Sequence, residues 1–392
     1  MIIQTAKRIG TVEEYYFSRK LREIAQLRKQ GKEIINLGIG SPDLPPAPEV
    51  VNELRAAAQN PAFHAYQSYS GIPELRIAFA NWYQQYFSIS LDPNSEVLPL
   101  IGSKEGIMHI AMTFLEAGDE VLIPDPGYPA YAATARLAGA TPRIYTLRAE
   151  NNWLPDLKDL EQTDLSKVKI LWINYPHMPT GTPATRELFT NLVAFAEKHK
   201  ILLVNDNPYS FLLNDSPLSI FSVPGARAVA LELNSLSKSH NMAGWRIGML
   251  AGHPDYLREV IKFKSNMDSG MFRPLQLAAV KALALSPDWY QSQNKLYRER
   301  QEIVFRIMDT LSCTYEKNQV GMFVWAKIPN GYKDSYVLSD DLLERTNIFV
   351  TPGGIFGAGG TEYIRISLCA KPRILQEALD KFKQIKMNNK TV

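Results

Sequence analysis

Between residues 97 and 251 the chain alternates short apolar runs with amphipathic segments, and this alternation restricts its fold more than any other feature. The runs at 97–101, 120–124, 169–175, 201–206, 226–233 and 246–251 are several times apolar almost throughout, as in strands covered on both faces. Residues 106–116 and 184–198 carry apolar positions at helical spacing; the second segment follows a Thr-Pro pair and ends near His199 and Lys200. The pattern predicts an α/β fold with a mostly parallel central sheet between helices. The last third differs. Helical stretches at 275–285 and 288–311 precede hairpin-like pieces at 322–328, 348–351 and 363–368, which predicts a smaller α+β domain. The expected division is an N-terminal segment 1–45 packing on the small domain, a large domain 46–280 and a small domain 281–392. The N-terminal segment holds a helix at 11–28 and an apolar stretch at 34–39.

The chain has 392 residues and is 45% hydrophobic, enough for a large core. Its formal net charge of +3 comes without a dense basic block, which argues against a nucleic-acid partner. No apolar run reaches the length of a membrane span, and the start Met1-Ile2-Ile3-Gln4-Thr5 has no apolar signal core. Two cysteines, Cys313 and Cys369, fit a reducing compartment. A cytoplasmic protein is expected.

Three segments could carry chemistry. Ser235-Leu236-Ser237-Lys238 follows an apolar run, with Arg246 eight residues later. A lysine just past a buried strand suits imine chemistry, because desolvation keeps part of its amine neutral; a solvated turn is the plain alternative. Asp206 and Tyr209 end another apolar run, where ligands of α/β proteins bind or where an Asx turn would sit. Gly102-Ser103-Lys104-Glu105-Gly106 joins a strand to a helix and reads equally as an anion site or an N-cap. Neither the dinucleotide fingerprint nor the P-loop pattern is present.

The order of these pieces, together with NLGIGSPD at 36–43, YQSYSGIPELR at 66–76, PDPGYPAY at 124–131, NYPHMPTG at 174–181 and YIRISL at 363–368, resembles the class I/II aminotransferases of the aspartate-aminotransferase superfamily. The likeness runs from about residue 34 to residue 370. It implies pyridoxal 5'-phosphate as cofactor, held by Lys238 as a Schiff base. Asp206 would pair with the ring nitrogen, Tyr209 would donate to the ring's phenolate oxygen and Tyr128 would stack on the ring. Ser103, Lys104, Ser235 and Arg246 would hold the phosphate. Arg365, with the Gly40 backbone, would clamp the substrate carboxylate. Tyr66 matches a tyrosine that reaches the neighbouring subunit's phosphate, which implies a homodimer with shared sites. No metal is implied. The substrates would be an L-amino acid and a 2-oxo acid, with glutamate and 2-oxoglutarate as one pair. A β-eliminating C–S lyase and a non-catalytic cofactor-binding protein are the competing readings.

One position departs from the family. Met178 stands where an asparagine usually precedes Pro-Thr-Gly and hydrogen-bonds the phenolate oxygen. Methionine cannot donate that bond. Tyr209 is then expected to make this contact alone, or with Asn174 or a water filling in, and a cis Met178-Pro179 bond would follow the family's habit. Met178→Asn should lower the pKa of the lysine imine in an absorbance titration; an unchanged midpoint contradicts this reading.

Overall fold

The computed structural model describes residues 3–388; Met1 and Ile2 of the N-terminus discussed above lie outside them. The first strand, β1 (Ile35–Asn36), is peripheral. The central sheet contains β2 (Val97–Leu100), β3 (Glu120–Asp125), β4 (Thr141–Thr146), β5 (Val168–Ile173), β6 (Leu202–Asp206), β7 (Ala230–Ser235) and β8 (Gly248–Gly252). Their spatial order is β2-β8-β7-β6-β5-β3-β4. Pairings from β7 to β4 are parallel, and β8 runs antiparallel to both β7 and β2.

The apolar runs are continuous because both faces of the sheet are covered. In β5, Leu171 and Ile173 enter one core cluster while Ile170 and Trp172 enter the other, as the two-residue period of a strand requires. Each large apolar side chain buried this way contributes about 1.5–3 kcal/mol.

Four expectations shift. Residues Ala226–Val229 form a helical turn behind Gly225, and the strand begins only at Ala230. A run of small apolar residues suits either state, and the left-handed Gly225 (φ 82°) turns the chain here. Arg246 precedes its strand and itself sits at φ 58°. Strand β4 has no apolar run because it lies at the sheet edge, with Ile144 exposed. The helix expected from residue 11 starts at Tyr16, after a separate 3-10 turn Lys7–Thr11 and an extended stretch.

A second layer follows, from β9 (Phe323–Lys327), β10 (Ile348–Phe349), β11 (Thr351–Pro352) and β12 (Tyr363–Ser367). Strands β11, β12 and β9 form an antiparallel sheet with its own core, which includes Val304, Met308, Phe323 and Ile366. Strand β1 pairs in parallel with β10, Ile35 opposite Ile348, so the N-terminal segment packs on this layer. Cys313 and Cys369 are free thiols. No described helix is long and apolar enough to cross a membrane.

The buried Arg300, on the helix Pro287–Thr310, ties these parts together. It donates to both carboxylate oxygens of Asp43, at 2.6 and 3.0 Å, and to the Leu368 carbonyl at 2.9 Å. Asp43→Ala would leave this guanidinium buried without its anion. A loss of about 3 kcal/mol is expected in denaturant unfolding; a loss below about 0.5 kcal/mol would mean the pair does not hold the N-terminal segment.

Candidate active site

Parallel strands point their carboxyl ends to one sheet edge, and ligands of such sheets bind there. The chain delivers its polar residues to that edge. Strand β2 leads to Ser103 and Lys104, β3 to Tyr128, β5 to Asn174, β6 to Asp206 and Tyr209, and β7 to Ser235 and Lys238. Because β8 is antiparallel, its start lies at the same edge, which brings Arg246 in as well. The smaller layer faces the edge with Arg365 on β12.

Eleven of the twelve residues singled out from the sequence line one cavity of about 720 Å³: Gly40, Ser103, Lys104, Tyr128, Asn174, Asp206, Tyr209, Ser235, Lys238, Arg246 and Arg365. Tyr66 does not; it is 89% exposed. Lys238 Nζ donates to the Gly40 carbonyl at 2.5 Å. Removal from bulk water lowers its pKa to about 8, helped by the nearby guanidiniums of Arg365 and Arg246. Asp206 is buried, and burial raises its carboxyl to about 6 against the hydrogen bond from Tyr131. Burial likewise holds Tyr209 and Tyr128 neutral.

Arg365 is 4% exposed and has no carboxylate partner among the described residues. It donates to the Gly38 carbonyl at 2.9 Å and to the Met178 sulfur at 3.2 Å, and its guanidinium lies 3.8 Å from the centre of the Phe323 ring. Desolvation lowers its pKa to about 10. A buried cation satisfied only by neutral groups is a ready carboxylate clamp.

The residues fit pyridoxal phosphate. Asp206 Oδ1 is buried without a hydrogen-bond partner, which suits a pyridinium N–H. Gly102, at φ 81°, caps the Ser103 helix, and a β-carbon on it would strike the Arg246 guanidinium. A β-carbon on Gly248 would stand 2.7 Å from the Ser103 amide nitrogen. Helix start, β8 and arginine are thus packed as closely as an anion cradle needs. Ser237 joins this cradle, its hydroxyl 2.8 Å from Ser235 Oγ and 3.5 Å from Arg246 Nη1.

Met178 turns toward Arg365, and Met178–Pro179 is cis. Asn174 is engaged with the backbone: its Oδ1 accepts from Met178 N at 2.9 Å, and its Nδ2 donates to the Asp206 carbonyl. Among the cavity residues without a role in the sequence reading, Tyr15, Phe323 and Tyr131 make the most telling contacts. Tyr15 lies beneath Lys104, whose Nζ is 4.9 Å from its ring centre. Phe323 backs Arg365. Tyr131 bonds Asp206, and its spacing of three from Tyr128 at a helix start was the available signal.

The model of the family "Aminotransferase class I and II" matches residues 32–382. An LL-diaminopimelate aminotransferase of Dehalococcoides mccartyi is 41% identical, covering 98% of this chain and 99% of the relative. One of Aquifex aeolicus is 39% identical over 98% and 100%. The solved apo structure of BacF from Bacillus subtilis superposes with a TM-score of 0.95 at 35% identity, covering 98% of this chain and 99% of that one. Relatives named as aminotransferases do not favour the C–S lyase reading. The chain belongs to the class I and II aminotransferase family and is a pyridoxal-phosphate-dependent transaminase.

Proposed function

We propose that this chain transfers the amino group of LL-diaminopimelate to 2-oxoglutarate, with the cavity residues in the roles the resemblance implies. The observation that carries the chemical part is the grouping of Lys238, the half-satisfied Asp206 and the unpaired Arg365 in one cavity. The donor is supported by the names of the relatives at 39–41% identity. Lys104, Lys238, Arg246 and Arg365 line the cavity, with Asp206 the one carboxylate among the described residues there. The cofactor phosphate and a substrate carboxylate would offset that excess.

When bound, pyridoxal phosphate supplies an aldehyde and an electron-withdrawing ring. Arg365 orients the substrate through its α-carboxylate. Asp206 Oδ1 would accept the ring N–H, and Tyr209 would donate to the phenolate oxygen. Lys238 Nζ removes the proton from the substrate α-carbon and later returns one. Ser103, Lys104, Ser235 and Arg246 would hold the phosphate, and Tyr128 would cover the ring.

We read the active form as a homodimer. Tyr66, Tyr69, Met267 and Phe272 are exposed apolar residues, and they adjoin through the Phe272–His64 ring contact and the close approach of Gly270 to Gln67. Such a patch suits a second copy, and Tyr66 would then reach the partner's phosphate. The division at residues 45 and 280 remains our reading of the domains. The free cysteines favour the cytoplasm.

The test is an absorbance screen of cofactor-loaded protein with single amino acids and no acceptor. LL-diaminopimelate and glutamate should each discharge the long-wavelength band and leave one 2-oxo acid per site. A band that survives both contradicts the proposal, and release of pyruvate and thiol from cysteine conjugates would favour the lyase. The pH dependence has a definite sign. A lowered lysine pKa means more neutral amine at a given pH, about a tenth at pH 7 for a value near 8. Trace acylation of Lys238 in the cofactor-free protein should rise with pH and level off above about 8. A midpoint near 10.4, the value of an ordinary lysine, contradicts it.

A further inference from the structure

Among the described residues Asp206 is the only carboxylate that lines the cavity, and its two oxygens are not alike. Oδ2 accepts a hydrogen bond from the Tyr131 hydroxyl at 2.9 Å, whereas Oδ1 has no partner. Tyr131 is itself held. It is 1% exposed, and its ring stacks on Trp172 with centroids 4.7 Å apart and planes at 7°. Tyr128 closes its other side edge-on at 5.6 Å. The Trp172 strand is β5, the neighbour of β6, and Asn174 at its end donates to the Asp206 carbonyl. Asp206 is therefore fixed at two points, its backbone by Asn174 after β5 and one carboxylate oxygen by Tyr131, whose ring rests on Trp172 of that strand.

A carboxylate is nearly two-fold about its last torsion, so geometry alone does not choose which oxygen faces a ligand. The Tyr131 bond does choose. We propose that Tyr131, clamped on Trp172, is a positioning residue that occupies Oδ2 so that Oδ1 alone is presented to the cofactor's ring nitrogen. The inference rests on the pyridoxal-phosphate reading of the cavity.

Electrostatics agrees with the geometry. Burial raises Asp206 to about 6, while the Tyr131 hydrogen bond, and then the charge of Lys238, hold it down. The other titratable groups facing it are Tyr128 and Tyr209, and burial keeps both neutral. The Tyr131 hydroxyl stays protonated as well, because burial raises its own pKa well above the usual value. Its hydrogen bond is thus a donor to an anion across the working pH range. Without it Asp206 would hold a proton at a higher pH, and a protonated carboxyl is a poorer acceptor for a pyridinium N–H.

Tyr131→Phe removes the hydroxyl and keeps the stacking ring. In the cofactor-free protein, the carboxyl signal of Asp206, followed by infrared or carbon NMR, should titrate about one pH unit higher than in wild type. Pyridoxal phosphate should bind about tenfold more weakly, equivalent to about 1.4 kcal/mol. Tyr131→His, which returns a ring N–H donor, should recover most of both. A Tyr131→Phe protein that titrates and binds like wild type overturns the inference, and so does a Tyr131→His protein as impaired as Tyr131→Phe. Should Tyr131→Phe fail to fold, the His variant decides alone: affinity near wild type is expected, and a tenfold loss contradicts. Wild-type protein that binds no pyridoxal phosphate would overturn the functional reading, whereas equal binding by wild type and Tyr131→Phe overturns only the role of Tyr131.

Discussion

Ionisable groups withdrawn from water without a full set of partners are costly, and this site holds three of them side by side. Arg365 is buried against carbonyl, sulfur and aromatic rings, and no carboxylate among the described residues meets it. Asp206 has one oxygen satisfied and one bare. Lys238 leans on a single carbonyl, at a pKa low enough to leave some amine free. Each deficiency is the complement of something a substrate or cofactor carries: a carboxylate, a ring N–H, an aldehyde. The surrounding architecture must hold these groups apart against their tendency to pair or to seek water, and two packed layers with separate cores do so.

Topology explains how residues from so many parts of the chain reach one place. Parallel strands send their carboxyl ends to a common edge, and the reversed β8 adds the residue at its start. The second layer brings the buried Arg365 to the cavity from β12, while Arg300 locks the N-terminal segment against it through Asp43. Gly38 and Gly40 then run between the two layers, their carbonyls accepting from Arg365 and Lys238. The cavity is consequently a joint between layers. Its depth comes from the sheet and its roof from the smaller layer and the N-terminal helix.

Much of this was legible in the sequence, and the exceptions have physical reasons. Strands buried on both faces announce themselves by unbroken apolar runs, and the polar residues that follow them mark the functional edge; Asp206, Ser235 and Lys238 were found this way. Strand β4 was missed because an edge strand needs no such run. The turn at Ala226–Val229 was misread because small apolar residues do not distinguish strand from helix. Tyr15 gave no signal, since only the tertiary fold brings the start of the N-terminal helix over the sheet edge. Tyr131 was visible inside a quoted motif, yet its role depends on a stacking partner forty-one residues away on another strand. Tyr66 stands apart: it is exposed and lies outside the cavity that holds the other residues singled out.

The central claim is that Lys238, and no other lysine, is the amine this cavity prepares for the cofactor. Lys104 lines the same cavity, and its pKa is also lowered by desolvation, so it is the natural competitor. Borohydride reduction of the pyridoxal-phosphate-loaded protein, followed by peptide mass mapping, tests this most directly. The account predicts one phosphopyridoxyl group per chain, located on Lys238. A label on Lys104, or one scattered over surface lysines with Lys238 unmodified, would contradict it.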